Sequence, residues 1–290
     1  MELAQWRKHI DQAVHDDGQW VGLLDEDGYP MMDFPAIVTV TAPKARSESS
    51  SVEIVVDVNA GGGRRLLDEL VADGIGDTDA EKRLVPASGS TRLVCIVRPG
   101  ERLVYTVTHS VVEGRAAPSL LRINGVDLLD GLSWWPAPSV PRTWAEAEFR
   151  TMTTDASGAE YATPRDLAQV EFAQVADGYT VKDHAVTAIR KVIQDSFDAT
   201  NQLMGWDDPH AVVDYSGGED NSPELLIRTD DSSIWDTVAE PAMQSGVTLA
   251  VGLWWPGDIP VTVRDGDSTT RREWDYPIQV VRVSTARKAE

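Results

Sequence analysis

The sequence is poor in cysteine and contains no long apolar run. Its one cysteine, Cys95, excludes an intramolecular disulfide and a cysteine-rich metal site. Cys95 lies in the apolar run 93–97, where a lone cysteine is typical of a small buried hydrophobic residue. No run approaches the roughly 18–20 apolar residues that span a bilayer, and residues 1–18 lack the features of a signal peptide. We therefore expect a chain that is synthesised soluble in the cytoplasm, without stable membrane insertion.

Positive charge is scarce as well. The 290 residues include 26 Lys and Arg against 47 Asp and Glu, which gives a formal net charge of −21. An acidic surface repels the phosphates of a duplex, and no stripe of basic and aromatic residues occurs, so sequence-specific binding of nucleic acid is not expected. Hydrophobic residues make up 42% of the chain, which is enough for one large domain or two ordinary ones.

The motifs of known catalytic and metal sites are missing. The glycine cluster 61–63 is not followed by Lys-Ser/Thr, which favours a turn over a phosphate-binding loop. The Asp-Gly-Asp segment 265–267 has only part of a calcium-loop pattern, and a hairpin turn between Val263 and Trp274 explains it. The five histidines are scattered, and neither HExxH nor GxSxG occurs. We expect no catalytic residue, no metal site and no cofactor, and we interpret the chain as a non-enzyme.

Residue patterns predict an α+β fold in which β-structure predominates. Runs of β-branched or alternating apolar residues are typical of strands. The strands are predicted at 36–41, 51–58, 91–97, 102–112, 119–125, 224–228, 247–255, 259–264 and 277–283. Apolar residues at helical spacing predict helices. The helices are predicted at 2–15, 64–72, 181–197 and 232–245, with a helical turn at 126–132.

Local signals indicate where the two later helices begin and end. Thr180 and Asp183 form a capping-box pattern, which predicts a helix start at residue 181. The segment 229–233 supplies N-cap residues for the helix 232–245. This helix is expected to close at Gly246, and Pro241 predicts a kink or an earlier end. The segment 200–223 reads as loop.

These elements suggest four regions. Residues 1–35 are predicted to be an arm with a short helix, because 18–35 is interrupted by glycine and proline and reads as loop around one short extended piece. Residues 36–145 are expected to form a small antiparallel β-barrel or sandwich. Residues 146–230 are predicted to be an α/β insert. The region 231–290 is predicted to contain a helix and a second barrel-like segment.

Two near-identical tryptophan pairs stand out among the ten tryptophans. Trp134 and Trp135 lie in Leu-Ser-Trp-Trp-Pro, and Trp254 and Trp255 lie in Leu-Trp-Trp-Pro-Gly. Adjacent residues of a strand point to opposite faces, so one member of each pair can be buried while the other is exposed. Core packing, a protein–protein contact and a sugar-stacking platform are the open alternatives. The four residues are our candidate assembly interface.

Three passages in order resemble the tail hub, or tail-associated, proteins of long-tailed phages. The first, 99–114, resembles the family's hairpin, in which a Pro-Gly turn leads into a strand ending at a glycine. The second, 120–132, is similar to the hub strand that ends in Gly-x-Asp and a short helix. The third combines the helix 183–197, the strand 225–228 and the helix and strand 232–249. Together they extend over roughly 36–283, whereas the helix 2–15 is not part of the common pattern. The chain also stops where many such proteins continue into a receptor-binding or lytic region, so no such module is expected.

The resemblance implies a structural virion protein at the tail tip that acts through surfaces. It implies a homotrimeric ring that docks under the distal tail protein and contacts other tail-tip or receptor-binding proteins. The ring would surround the C-terminal end of the tape-measure protein and the DNA channel. In that setting, the negative charge would also keep DNA from adhering to the channel wall. The alternatives are another tail component, such as the distal tail protein or an adaptor, and a carbohydrate-binding β-protein.

Overall fold

The computed structural model describes residues 2–71, 78–83, 89–115, 117–173 and 178–285. Within these residues the helices are α1 (Leu3–Asp17), α2 (Gly63–Leu70), α3 (Pro141–Glu146), α4 (Ala185–Met204) and α5 (Ile234–Gln244), with a 3-10 helix at Leu128–Ser133. The strands are β1 (Trp20–Leu24), β2 (Pro30–Asp33), β3 (Ile37–Thr41), β4 (Ser51–Asp57), β5 (Leu93–Arg98), β6 (Glu101–Glu113), β7 (Leu120–Asp127), β8 (Phe149–Thr154), β9 (Glu160–Ala168), β10 (Thr180–His184), β11 (Ala211–Asp214), β12 (Glu224–Arg228), β13 (Val247–Trp254), β14 (Val261–Asp265), β15 (Ser268–Arg272) and β16 (Ile278–Thr285). The predicted α+β class with predominant β-structure is confirmed.

The chain divides into two compact units, each assembled from segments that are distant in sequence. Unit 1 contains Met1–Leu129, Val251–Asp258 and Trp274–Ile278. Unit 2 contains Asp130–Ala250, Ile259–Glu273 and Gln279–Glu290. The sheets formed by the described residues are open and none of them closes into a barrel, which corrects the barrel part of the prediction. The loop predicted over 74–90 lies in large part outside the described residues.

Unit 1 is built on a seven-stranded antiparallel sheet with the order β2-β1-β5-β6-β7-β4-β3. The predicted hairpin between β5 and β6 is confirmed, and its turn residue Gly100 has a φ of +76°. Successive side chains of β5 point to opposite faces of the sheet. Val94 and Ile96 join the core that α2 covers through Leu66. Cys95 is fully buried on the other face, where α1 packs, which confirms its predicted place in the core.

The prediction of loop over residues 18–35 is wrong, because this segment supplies two strands of the sheet. All five residues of β1 are buried. Burial on both faces gives a continuous apolar run instead of an alternating one, and the flanking glycines hide it. Gly22 is required there, because a Cβ at this position would lie 2.1 Å from a ring carbon of Trp20. Both strands therefore belong to the main sheet of unit 1.

Unit 2 surrounds the 20-residue helix α4. One face of α4 is buried, from Ala185 through Ile189 and Ile193 to Phe197. Small strand pairs accompany it: β10 with β12, β8 with β9, and β14 with β15 are antiparallel, whereas β11 runs parallel to β16. The pair β14–β15 turns at residues 265–268, which confirms the predicted hairpin in place of a calcium loop.

An ionic network fixes β14 to α4 within unit 2. The Arg264 guanidinium donates to Asp195 at 2.5 Å and to Asp198 at 2.7 Å. The Tyr179 hydroxyl also donates to the Asp195 carboxylate. Burial, the hydrogen bond and the charge of Asp195 together raise the pKa of Tyr179, so this phenol stays protonated at neutral pH.

The predicted start of the long helix is wrong. Residues 180–184 form β10, and α4 begins at Ala185. Its first free N–H groups are satisfied by a loop more than thirty residues away. Pro223 accepts from the Ala185 N–H at 2.9 Å, the Ser222 hydroxyl from Val186 at 3.1 Å, and the Asp220 carboxylate from Thr187 at 2.8 Å. This cap from a distant loop of the same chain replaces the predicted local cap. Thr180 and Asp183 can therefore belong to strand β10. The N-cap predicted for the helix 232–245 is confirmed, since the Ser233 hydroxyl accepts from the Asp236 N–H at 3.0 Å.

We expect Asp220→Ala to lower the free energy of unfolding of unit 2 by about 1–2 kcal/mol, because it removes the carboxylate that caps α4. Burial opposes ionisation of Asp220, but hydrogen bonds from Ser222 and Thr187 outweigh it and lower its pKa to about 2. The stabilisation by the Asp220 carboxylate is therefore complete above the pKa of this group in the unfolded chain, about 4. It is lost as the pH falls through about 2. Urea titrations at pH 7 and pH 3 measure it. Glu219→Ala, at the exposed neighbouring acid, is the control, and equal losses in the two variants would contradict the capping role.

Candidate assembly surfaces

The first tryptophan pair lies in unit 2 and is divided between solvent and protein. Trp134 follows the 3-10 helix and is 82% exposed, with its indole N–H 3.5 Å from the Asp130 carboxylate. Trp135 is half-buried and packs edge-on against Phe197 of α4, with ring centroids 4.7 Å apart. The structure thus leaves Trp134 available for contact and uses Trp135 mainly as a support.

The second pair is buried in unit 1, which corrects its predicted place at an interface. Trp254 is 3% exposed and packs edge-on against Trp274 at 5.4 Å. Trp255 is 1% exposed, lies under the Arg102 guanidinium at 3.9 Å, and donates its indole N–H to the Gly28 carbonyl at 2.9 Å. Neither side chain has surface to offer a partner, and the core interpretation holds for both.

Two aromatic residues that the sequence analysis left in a loop lie beside Trp135. Trp206 contacts the Trp135 ring at 6.4 Å, and His210 contacts Trp206 at 4.4 Å. Trp206 and Met204 remain 38% and 44% exposed. In the sequence, Trp206 lies in a segment predicted as loop. Its position just beyond a helix end can be recognised only once α4 is known to extend to Met204. The group forms a small aromatic patch on unit 2.

The β8–β9 hairpin is the most exposed strand pair among the described residues. The two strands pair only with each other, and none of their residues is buried. Apolar side chains nevertheless occur on both strands: Phe149 is 49%, Met152 42% and Leu167 43% exposed. No strands were predicted here, because the alternation of apolar and polar residues is broken and β9 contains Pro164.

A groove of about 610 Å³ lies where the hairpin meets α3. We call it the hairpin groove. Its apolar lining comes from Ala147, Met152, Leu167 and Ala168. Its charged lining consists of Glu146, Glu148, Arg150 and Glu171. The groove therefore combines apolar surface with an excess of carboxylates.

The described residues contain no cluster of three or more His, Cys, Asp or Glu side chains placed to hold a metal ion. Burial raises the pKa of Cys95 to about 12, and nearby Arg102 only partly offsets this, so the thiol is neutral at physiological pH.

The glycine cluster forms the turn into α2, with Gly62 at a φ of +88°. A Cβ at Gly63 would lie 2.6 Å from the Asp57 carbonyl oxygen. The positive φ of Gly62 and the close backbone packing at Gly63 account for these two glycines without a ligand.

Comparison with known proteins gives limited similarity. No protein-family model and no curated protein matches the chain. In the part of the chain that the structure describes, no helix is both long and apolar enough to cross a membrane. The chain is similar to the solved 43 kDa tail protein of prophage MuSo2 from Shewanella oneidensis, with 13% identity and a TM-score of 0.34. The match covers 79% of this chain and 50% of that protein, so the chain spans about half of its length.

Proposed function

We propose that this chain is a structural component of the tail of a long-tailed phage that works through its surfaces. More narrowly, we propose a trimeric hub ring at the tail tip. The ring would join the distal tail protein to other tip components and surround the end of the tape-measure protein.

The observation that carries an assembly role is the exposed β8–β9 hairpin. An isolated two-stranded hairpin is marginally stable in water, because it buries too little apolar surface to offset the ordering of its backbone. Phe149 adds a large apolar side chain that is 49% exposed in the single chain. Covering such a hairpin with another subunit removes apolar area from water, at about 25 cal/mol per Å². This arrangement favours an assembled state.

The tail assignment rests on the three passages that resemble the hub family. Their secondary structure supports this proposal. Residues 99–114 contain the Pro-Gly hairpin turn and strand β6. Residues 120–132 contain β7 and most of the 3-10 helix. The third passage contains α4, β12 and α5 in that order, although α4 begins two residues late.

A carbohydrate-binding role is the second candidate, because Trp134 is 82% exposed beside the Asp130 carboxylate. Stacking on an indole with a nearby carboxylate is a common way to hold a sugar ring. Saturable glycan binding that is lost in Trp134→Ala and retained in Trp206→Ala would favour this function.

Mass photometry tests the hub proposal directly. We expect trimers of the purified chain, alone or on mixing with its tail neighbours, because self-association would cover the exposed side chain of Phe149 on β8. Phe149→Thr keeps strand propensity and should weaken self-association by about tenfold or more. Val38→Thr is the matched control, since Val38 is also apolar and 56% exposed but lies on β3 of unit 1. A strict monomer under every condition would refute the ring, and equal weakening by both substitutions would exclude the hairpin as its contact.

A further inference from the structure

We infer that the hairpin groove binds a short basic segment of another protein that also carries apolar side chains. This inference rests on the proposed assembly function and adds the chemistry of one partner.

The apolar part of the groove comes from one face of the hairpin. In the register of β8 and β9, Arg150 lies opposite Leu167 and Met152 lies opposite Arg165, so these side chains share a face. Met152 and Leu167 are both about two-fifths exposed and line the groove. Phe149 itself does not line the groove, although its cross-strand partner Ala168 does. The groove and the side chain proposed for self-association are therefore distinct but neighbouring parts of one element.

The charge of the groove favours a basic occupant. Glu146, Glu148 and Glu171 line it against the single lining cation Arg150. Arg165, on the same hairpin face, lies over the Tyr161 ring at 5.0 Å and does not line the groove. Glu146 is paired with Arg142 at 2.7 Å, whereas Glu148 meets Arg150 only at 3.8 Å. Within the described residues, the Glu171 carboxylate has no cationic partner. Two carboxylates are thus left with little compensation.

These carboxylates lie just outside the paired strands. Glu148 directly precedes β8, and Glu171 follows β9, where its backbone N–H donates to the Thr143 hydroxyl at 3.1 Å. They therefore rim the groove at the base of the hairpin, where changes of charge leave the strand ladder intact. Positive side chains of an incoming segment can reach both while its apolar side chains cover Met152 and Leu167.

A second copy of the chain fits the groove less well than a basic partner. The tip of the hairpin carries Asp155 in the turn and Glu160 at the start of β9, so a second hairpin would bring carboxylates towards those of the groove. Like charges at an apolar contact suppress association. Electrostatic complementarity therefore selects a basic protein segment, and salt should weaken its binding.

The test uses the full chain and two short synthetic peptides, one with alternating Lys and Leu and one with alternating Lys and Ser, in calorimetric titrations at low and physiological salt. We expect the Lys/Leu peptide to bind at one site, with the Lys/Ser peptide about tenfold weaker or worse. The double variant Glu148→Lys with Glu171→Lys should weaken binding of the Lys/Leu peptide by about tenfold or more. Met152→Thr with Leu167→Thr should weaken it comparably while leaving the charge unchanged.

The matched control is Glu240→Lys with Asp267→Lys, which makes the same change in net charge at exposed residues away from the groove. Retained binding in this control supports the groove. Equal losses in the two charge variants, or equal binding of the two peptides, would overturn the inference and show only general attraction to an acidic protein. The oligomeric state of the Glu148→Lys and Glu171→Lys variant separates the two proposals, because these carboxylates belong to the groove and not to the proposed trimer contact. Trimers of this variant would leave the ring proposal standing whatever the result of the peptide titrations.

Discussion

Replacing Trp255 with alanine is expected to lower the free energy of unfolding of unit 1 by about 3–5 kcal/mol. The side chain is 1% exposed and packs in the core on the α1 side of the sheet. Its loss leaves a cavity, an unpaired Gly28 carbonyl and an Arg102 guanidinium without the ring below it. A domain is stable by only about 5–15 kcal/mol, so a large share of its stability is at risk. Urea denaturation followed by circular dichroism measures the change.

Trp134→Ala is the control for this prediction. Trp134 is 82% exposed, and its substitution should change the free energy of unfolding by less than about 0.5 kcal/mol. Trp255→Phe keeps an aromatic ring but loses the N–H donor, and it should cost about 1–3 kcal/mol through the unsatisfied carbonyl. Similar stabilities for Trp255→Ala and Trp134→Ala would show that the two tryptophan pairs are equivalent and would contradict the core position of Trp255.

The two tryptophan pairs also show how far a local pattern leads. The repeated Trp-Trp-Pro motif suggested one shared role, with alternate members inside and outside. The alternation rule requires both residues to lie in a strand, but β13 ends at Trp254. Trp255 already belongs to a turn, which closes when the Asp258 N–H donates to the Trp255 carbonyl at 2.9 Å. The turn rotates Trp255 back into the core, and this rotation has no signature in the motif itself.

Strands and turns with strong local signals were predictable. The β5–β6 hairpin combines apolar runs with a Pro-Gly turn, and its strands lie where the residues predict. By contrast, β1 was not predicted as a strand, because it is buried on both faces. The β8–β9 hairpin was not predicted either, because neither of its faces is buried. A period-two pattern arises only in strands with one face in water, so these two extremes weaken the signal.

Features that depend on distant contacts were not predictable from local patterns. The start of α4 is set by Asp220 and Ser222, which lie beyond the end of the helix in sequence. Likewise, the aromatic patch needs Trp135 and Trp206 to meet across about seventy residues. A single sequence carries no record of such pairings, so local patterns could not place Trp206 beside Trp135.

Asp258→Ala is expected to lower the free energy of unfolding of unit 1 by about 2–3 kcal/mol. The carboxylate accepts from Arg7 of α1 at 2.7 Å and from Arg102 of β6 at 2.6 Å. It also accepts from the Trp255 backbone N–H at 2.9 Å. Removing it leaves two partly buried guanidinium groups without a counter-charge. For fully buried pairs this costs about 3–5 kcal/mol, and the 21% exposure of the Asp258 side chain reduces the effect.

The pH dependence of this interaction has a defined sign. Burial alone would raise the pKa of Asp258, but the hydrogen bonds and charge of Arg102, with help from the Trp255 N–H and Arg7, outweigh it and lower the pKa. The carboxylate therefore stabilises the fold above its unfolded pKa of about 4, and this contribution is lost as the pH falls through the lower, folded value. In urea titrations, the stability difference between wild type and Asp258→Ala should shrink below about pH 4. The exposed residue Asp207 supplies the control, since Asp207→Ala should change little at any pH.

Asp258→Asn separates charge from shape in the same site. The amide oxygen can still accept from the Trp255 N–H, but the neutral group pairs only weakly with Arg7 and Arg102. If charge pairing dominates, the asparagine variant should lose most of what the alanine variant loses, and its stability should no longer share the acid dependence of the wild type. If the turn at 255–258 dominates instead, the asparagine variant should stay close to wild type at neutral pH. We expect the first outcome, because two cations and one carboxylate meet at hydrogen-bonding distance in a partly buried site.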